Sequence, residues 1–355
     1  MTEKKILVAM SGGVDSAVAA YLIKSLGYET AGITMKLWSE NEEIHDSDRD
    51  IPDENCIDAK NIADTLGISH FSVSFGDSFK RCVINNFFEN YKNGYTPNPC
   101  IECNKNIKFG VLYEKAISLG YNTLATGHYS RIEKNASGYF LKRAADTAKD
   151  QTYFLWRLPK ELLSHLMFPL GEYTKEDIRA IAEANGFSNA HRKDSQDICF
   201  IPDGDYVSFI RKYGNIPEIP GDYINSSGKV IGQHEGIIRY TVGQRKGLGV
   251  AFGHPMFVGA KNAATNTVTL CTDDELYSKE IIASNINVFS NDIFEKDSRL
   301  LAKIRYRHTP APAKAELISE GRMKVTFDEA QRAPTPGQSV VLYDGDILVG
   351  GGIIE

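Results

Sequence analysis

The feature that most limits what this chain can fold into is Met10-Ser11-Gly12-Gly13-Val14-Asp15-Ser16, set between the apolar run Ile6-Leu7-Val8-Ala9 and an amphipathic stretch. That order reads as a strand, a glycine turn and the start of a helix. Two glycines open backbone conformations closed to other residues. Ser11, Asp15 and Ser16 fall where the first amides of a helix face outward, so the turn is expected to hold an anion such as phosphate. It lacks the Lys-Ser/Thr ending of GxxxxGK[ST], which excludes the usual apparatus for transferring a γ-phosphoryl group.

The pattern downstream continues this start. Apolar runs alternate with helical periodicity: strand 4–10, helix 15–26, strand 29–36, helix 54–66, strand 70–75, helices 77–92 and 104–119, strand 122–126. Such alternation predicts an α/β domain with a doubly wound parallel sheet. Ligands of these sheets sit beyond the carboxyl ends of the strands, where the glycine turn, Met35 and Gly127-His128 all fall. The polar stretch 39–53 reads as a mobile loop or lid. From about residue 205, Gly, Pro and short β-prone runs dominate. The expected organisation is an N-terminal α/β domain over 1–205, a small mainly β middle domain over 206–280 and a C-terminal β-barrel over 281–355.

With 355 residues, several domains can each bury a core. A net charge of −6 argues against a globally basic nucleic-acid binder but leaves room for a local basic patch. The apolar run after Met1-Thr2-Glu3-Lys4-Lys5 is too short for a signal peptide or a membrane span, so a cytoplasmic location without membrane contact is expected. The six cysteines should then be reduced unless they do chemistry.

Two of them stand in suggestive surroundings. Cys103 follows the proline loop Thr96-Pro97-Asn98-Pro99-Cys100 and precedes a helical pattern, with Lys105 two residues on. A thiol at a helix start beside a lysine should have a lowered pKa, which makes Cys103 a candidate nucleophile. Cys199 lies between Asp197 and the apolar pair Phe200-Ile201. Arg192 and Lys193 upstream favour its thiolate, Asp194 and Asp197 oppose it, and a core position is as good a reading. Cys56, Cys82 and Cys271 have no motif around them and read as packing residues. Further on, Lys303-Ile304-Arg305-Tyr306-Arg307-His308 puts basic side chains on alternate positions. As a strand, it would present one face able to grip phosphate and stack a base.

Taken together, these segments carry a resemblance. The SGGVDS turn is similar to the pyrophosphate loop of the ATP-pyrophosphatase superfamily. That turn, PNPCxxCNxxIKFG at 97–110, Gly127-His128-Tyr129, KDQTYFL at 149–155, Lys193-Asp194-Ser195 with Ile198-Cys199-Phe200-Ile201, and GQRKGLG at 243–249 closely resemble the tRNA-specific 2-thiouridylases from the first strand to the barrel. The resemblance implies an ATP-dependent sulfurtransferase that adenylates the C2 oxygen of a wobble uridine and replaces it with sulfur, releasing AMP and pyrophosphate. It implies ATP contacts at Ala9, Met10, Ser11, Gly12, Gly13, Val14, Asp15, Ser16, Met35 and Gly127, with Mg²⁺ near Asp15. Cys199 would carry a persulfide and Cys103 would attack or resolve it through a transient disulfide. Asn98, Pro99 and Cys100 would meet the target base. His128, Lys149, Asp150, Gln151, Arg305, Tyr306 and Gln338 would meet tRNA, by resemblance those for Lys, Glu and Gln. The sulfur would come from a cysteine desulfurase or a sulfur-carrier protein.

One departure matters. Many members have Asp where this chain has Cys100, and Cys100, Cys103 and Cys199 together offer three thiolates to a [4Fe-4S] cluster, an alternative route for sulfur. Two further readings compete: a ligase of the same superfamily acting on a small metabolite, which would need neither Cys103 nor Cys199, and a non-catalytic tRNA-binding or sulfur-carrier protein, which would need no ATP. A tRNA lysidine synthetase would share the glycine turn but leave the cysteine motifs unexplained.

Overall fold

Strand β1 (Lys5–Ala9) is apolar on both faces and lies at the centre of a parallel sheet, between β2 (Glu29–Lys36) and β4 (Thr123–Ala125). The computed structural model describes residues 4–38, 54–136, 138–192, 198–201, 203–250, 252–295 and 299–355. The 39–53 stretch and Lys193-Asp194-Ser195 lie outside the described residues. Strand β3 (Ser69–Ser74) pairs with β2, and the short strand Leu166–Met167 pairs with β4, giving the order 3-2-1-4 followed by that strand. Because the chain runs outward on one side of β1 and then restarts on the other, the carboxyl ends of β1 and β4 flank a switch point, where such sheets bind ligands. Helix α1 (Val14–Ser25) buries Ala17, Val18, Ala20 and Ile23 beneath the sheet, and α2 (Glu54–Leu66) adds Ala59, Ile62 and Ala63 to the same core. Fold class and element order thus follow the sequence reading closely.

The chain divides into two compact units. The first comprises Met1–Cys82, Cys100–Phe200 and Asp346–Leu348, and the second Val83–Pro99, Ile201–Gly345 and Val349–Glu355. In the first unit, a hairpin of Ser130–Asn135 and Gly138–Arg143 extends its edge by pairing with Ile347 and Leu348.

The second unit holds two β structures and a helical segment from the N-terminal half. In helix Asn85–Lys92, Phe87 and Phe88 pack against Phe209, and Tyr91 against Tyr206, both on helix Tyr206–Gly214. A four-stranded sheet is ordered Phe257–Asn262, Thr267–Cys271, Gly221–Ile224, Val230–His234, around Tyr223, Tyr240, Val258 and Leu270. Six antiparallel strands follow, and pairing of Tyr277–Val288 with Ile347–Ile354 closes them into a barrel. Its interior is filled by Ile281, Ala302, Met323, Val325, Phe327, Val340 and Leu342.

The strand expected through 303–308 is corrected by the structure. Strand Leu300–Lys303 ends at Lys303, and the His308 amide donates to the Arg305 carbonyl at 3.0 Å, closing a turn. Basic residues at alternate positions therefore do not share one strand face. Ile304 is buried, Arg305 donates to the Arg332 carbonyl at 3.0 Å, and Lys303 lies 5.6 Å from the centre of the Tyr306 ring.

Candidate nucleotide and thiol site

The turn after β1 is shaped by two constraints. Gly12 has φ +74°, and a Cβ there would lie 2.8 Å from the Asn55 carbonyl oxygen at the start of α2, so only glycine fits. Gly13 is the N-cap of α1 in extended conformation, and no side chain caps the helix. The Ser16 hydroxyl turns back to donate to the Gly13 carbonyl at 2.9 Å and accepts from the Ser11 amide at 3.1 Å. The first-turn amides of α1 therefore keep the geometry of an anion cradle. Asn189 Nδ2 donates to the Gly12 carbonyl at 2.7 Å, while Asn189 Oδ1 is buried with no partner among the described residues. Met35 is half-buried near the carboxyl end of β2, and Met10 is buried against Gly32.

Asp15 is tied to its surroundings more firmly than its place in the motif suggests. Its Oδ1 accepts from the Tyr129 hydroxyl at 2.8 Å and from Lys175 Nζ at 2.7 Å. Lys175 is buried in the first turn of helix Lys175–Ala184, whose N-terminus is fixed by a capping box between Thr174 and Asp177. Sequence reasoning missed both Lys175 and Asn189. The Thr-x-x-Asp pattern at Thr174–Asp177 is a signal that could have placed a helix start, but nothing local indicates that it faces the glycine turn.

Gly127-His128-Tyr129 follows β4 and joins this turn to the cysteines. A Cβ on Gly127 would lie 3.0 to 3.2 Å from Asp15 C, Asp15 O and Ser16 N, so glycine lets the segment press against the first turn of α1. His128 is buried between Phe109 and Phe168, with Nδ1 2.6 Å from the Thr126 hydroxyl and Nε2 3.5 Å from Lys108 Nζ. Burial, with Lys108 beside it, holds the imidazole well below the usual histidine range.

Cys100 and Cys103 lie on a continuous helical run: α-helical over Pro99–Glu102, then a π-helix over Cys103–Val111 with Gly110 outside helical φ/ψ. Cys103 is thus one turn inside the helix. The expectation of a lowered pKa is overturned, because Cys103 is buried and burial pushes its thiol up to about 12. The cation that pulls against this is Lys108. Lys105 instead feels burial, Arg157 and Glu102. Water reaches Cys100 and Cys199, yet protein crowds both sulfurs and raises their pKa values too. Lys108 opposes the rise at each, and the sulfurs are close enough to feel one another's charge. All six cysteines are free thiols. Cys56 and Cys271 are buried, as packing residues should be.

The remaining sequence candidates fall in several places. Asp150 is buried and accepts from the Thr152 hydroxyl at 2.8 Å and the Ala144 amide at 3.2 Å. Gln151 and Tyr129 exchange two hydrogen bonds at 2.9 and 2.8 Å. Lys149 is half-buried beside them. Asn98, Pro99 and Gln338 belong to the second unit, and Gln338 Nε2 donates to the Thr96 carbonyl at 2.8 Å. Among the described residues no group of three or more His, Cys, Asp or Glu could hold a metal ion, so Cys100, Cys103 and Cys199 do not fit a cluster site. No helix among the described residues is long and apolar enough to cross a membrane.

A parallel-sheet domain with an uncapped glycine turn at its switch point, followed by a small sheet and a closed barrel, is the architecture of a nucleotide-binding protein with appended β domains. Family models match the same three parts: a tRNA methyl transferase HUP domain over residues 4–203, a tRNA methyl transferase PRC-barrel domain over 208–272 and an aminomethyltransferase beta-barrel domain over 278–354. The chain is 46% identical to the tRNA-specific 2-thiouridylase MnmA of Clostridioides difficile (strain 630), over 99% of this chain and 98% of that protein. It is also 46% identical to the MnmA of Clostridium botulinum (strain Alaska E43 / Type E3), over 100% and 99%. The chain belongs to the tRNA-specific 2-thiouridylases, a family of sulfurtransferase enzymes. A solved structure described as a predicted subunit of tRNA methyltransferase from Methanocaldococcus jannaschii matches at a TM-score of 0.32 and 20% identity, over 51% of this chain and 76% of that one, too distant to carry argument.

Proposed function

We propose that the protein thiolates C2 of the wobble uridine in tRNA, by resemblance those for Lys, Glu and Gln, at the expense of ATP. The observation that carries this reading is the Gly127-His128-Tyr129 segment. Gly127 packs on the first turn of α1, Tyr129 bonds to Asp15, and His128 faces the lysine whose charge reaches all three thiols. A metabolite ligase has no need to join a nucleotide turn to cysteines.

In this reading the uracil O2 attacks the α-phosphorus of ATP. An O2–P bond forms, the bond to the β-phosphate oxygen breaks, pyrophosphate leaves, and the N3 proton is lost to solvent. The amides of Ser11–Ser16 hold the phosphates. When bound, Mg²⁺ would neutralise charge on the phosphates, and Asp15 is the carboxylate that would help hold it, as suits an ion that needs only one or two carboxylates beside phosphate oxygens. A terminal persulfide sulfur on Cys199 then attacks C2, and AMP leaves. Cys103 gives up its thiol proton to solvent and attacks Cys199 Sγ; the S–S bond breaks, the sulfur stays on uracil, and N3 takes a proton back from solvent. The two thiols end as a disulfide, which an external dithiol must reduce before the next turnover. The persulfide comes from a cysteine desulfurase or sulfur carrier. Burial raises the Cys103 thiol pKa and so disfavours its thiolate in the free protein. The cluster alternative has no ligand set among the described residues, and no step is derived through it.

The test uses unmodified tRNA, ATP, Mg²⁺ and a persulfide source, with AMP and 2-thiouridine measured together. Asp15→Ala should lose both products, whereas Cys199→Ser should still make AMP but no thiolated nucleoside. Equal loss of AMP in both variants, or thiolation by Cys199→Ser, would overturn the assignment.

A further inference from the structure

Two consecutive glycines give the turn after β1 its shape and leave one of its peptides weakly determined. Gly12, at φ +74°, lets the chain pass close to the Asn55 carbonyl oxygen, and Gly13 keeps the turn open, since a Cβ there would meet only the Ser11 hydroxyl oxygen, at 3.4 Å. The peptide between them has no side chain on either flank. It can rotate through half a turn at little steric cost, and in a trans peptide the carbonyl and the following amide point in opposite directions. One orientation offers the Gly13 N–H to an anion. The other offers the Gly12 oxygen and repels it.

The next peptide is fixed from inside the motif. The Gly13 carbonyl accepts from the Ser16 hydroxyl at 2.9 Å and from the Ala17 amide at 3.2 Å, which settles where the Val14 amide points. The Gly12 carbonyl is fixed from outside it, by Asn189 Nδ2 at 2.7 Å, across 177 residues of sequence. Asn189 is itself held on two sides. Phe187 meets Tyr21 of α1 edge to face, with ring centres 6.4 Å apart, and Ala190 lies in the core shared with α1 and α2. Arg192 donates to the Asp58 carboxylate of α2 at 2.7 Å, and its amide donates to the Asn189 carbonyl at 3.0 Å. Asn189 Oδ1 is buried and has no partner among the described residues. A leucine of similar size would carry no such orphan, so what the asparagine contributes here is its donor.

We propose that Asn189 is a positioning residue for the reaction: by pinning the Gly12 carbonyl it presents the Gly13 amide to the phosphates of ATP. Its role rests on the phosphate-holding part of the proposed function, not on sulfur transfer. Asn189 donates to the backbone and not to the ligand. Without the pin, the 12–13 peptide is free to turn its oxygen toward the anion, and affinity for polyphosphate falls while the fold around the turn stays intact.

The experiment compares full-length wild type, Asn189→Leu and Asn189→Asp in the absence of tRNA. Binding of ATP and of inorganic pyrophosphate, each with Mg²⁺, is measured by calorimetry. The Gly13 amide is followed by NMR of ¹⁵N-glycine-labelled protein and assigned by its loss in Gly13→Ala. Asn189→Leu trades one orphaned acceptor for another, so its Tm should stay within about 2 °C of the wild type. Its affinity for both ligands should fall about tenfold, the scale of one charge-assisted hydrogen bond, and its Gly13 resonance should shift or broaden before any ligand is added. Asn189→Asp sets a carboxylate against the Gly12 oxygen and should lose at least as much. Wild-type affinity in Asn189→Leu overturns the role, as does a loss accompanied by a Tm drop of about 5 °C or more, which would make Asn189 a packing residue. Should Asn189→Leu fail to fold, wild-type affinity in Asn189→Asp overturns it equally. Thiolated nucleoside is assayed separately in the wild type, so a protein that binds ATP but transfers no sulfur fails the proposed reaction and leaves the pin standing, whereas one that binds neither ligand overturns both.

Discussion

The Tyr129 hydroxyl donates to Asp15 Oδ1 at 2.8 Å across a separation of 114 residues, so the motif carboxylate is oriented by a strand end far from it in sequence. Lys175 Nζ reaches the same oxygen from a third segment. Tyr129→Phe removes one of two donors to a charged acceptor, a loss of about 1.5 kcal/mol or roughly tenfold. AMP formation in the presence of tRNA should fall by that order. Lys175→Met should cost more, because it also removes the countercharge. An AMP rate unaffected in both would mean that Asp15 needs no orientation.

Gly127→Ala adds a single methyl group into space 3.0 to 3.2 Å from the backbone of Asp15 and Ser16. Overpacking of this kind costs about 1–3 kcal/mol, shared between stability and the shape of the turn. The expected outcome is a raised KM for ATP and a lowered Tm, with KM for tRNA little affected. Initial-rate kinetics at varied ATP and a thermal melt measure the two.

Lys108 opposes the rise in thiol pKa at Cys100, Cys103 and Cys199. Lys108→Met should therefore raise all three pKa values further and shift the pH profile of Cys199 alkylation to higher pH, while Lys105→Met should not. Iodoacetamide labelling read by mass spectrometry between pH 6 and 10 separates the two lysines. An equal shift in both variants would return the sequence-based choice of Lys105.

For Lys261 the sign is opposite to that of a salt-bridged lysine. Burial lowers its pKa from 10.5 to about 7 in the folded protein. Between those values the unfolded chain holds a proton that the folded one has shed, so this group's destabilising effect shrinks as pH rises through the window. Lys261→Met should raise stability at pH 7 by several kcal/mol, and that advantage should shrink by roughly 3 kcal/mol by pH 9.5. Urea titrations of both proteins at the two pH values measure it. A constant difference would mean that Lys261 stays charged when folded.

Much of this architecture is written in local pattern. Strands β1, β2 and β4 and helices α1 and α2 lie within a residue or two of where periodicity puts them, because each is short, apolar on the correct faces and bounded by turn residues. What local pattern omitted was distance. The partners of Asp15 come from residues 129 and 175, and no spacing rule connects them to an SGGxDS turn. Naming Lys105 as the cation beside Cys103 assumed that the nearest lysine in sequence is nearest in space, whereas Lys108 is the one that opposes the rise in its pKa. The π-helix over Cys103–Val111 bonds i to i+5, which brings position 108 around toward 103. At 303–308, alternating basic residues fit a strand and a turn equally well, and the bond between His308 and Arg305 decides for the turn.

The interleaving of the two units bears on how the protein is made. The first unit needs Asp346–Leu348 to complete the edge beside Ser130–Asn135 and Gly138–Arg143, and the second needs Val83–Pro99 from deep inside the N-terminal half. A ribosome that has finished residue 200 has therefore released neither a complete first unit nor a separable piece of the second. The nascent helix that carries Phe87, Phe88 and Tyr91 must keep its aromatic face from aggregating until Phe209 and Tyr206 emerge more than a hundred residues later. Synthesis is thus a waiting problem for that helix.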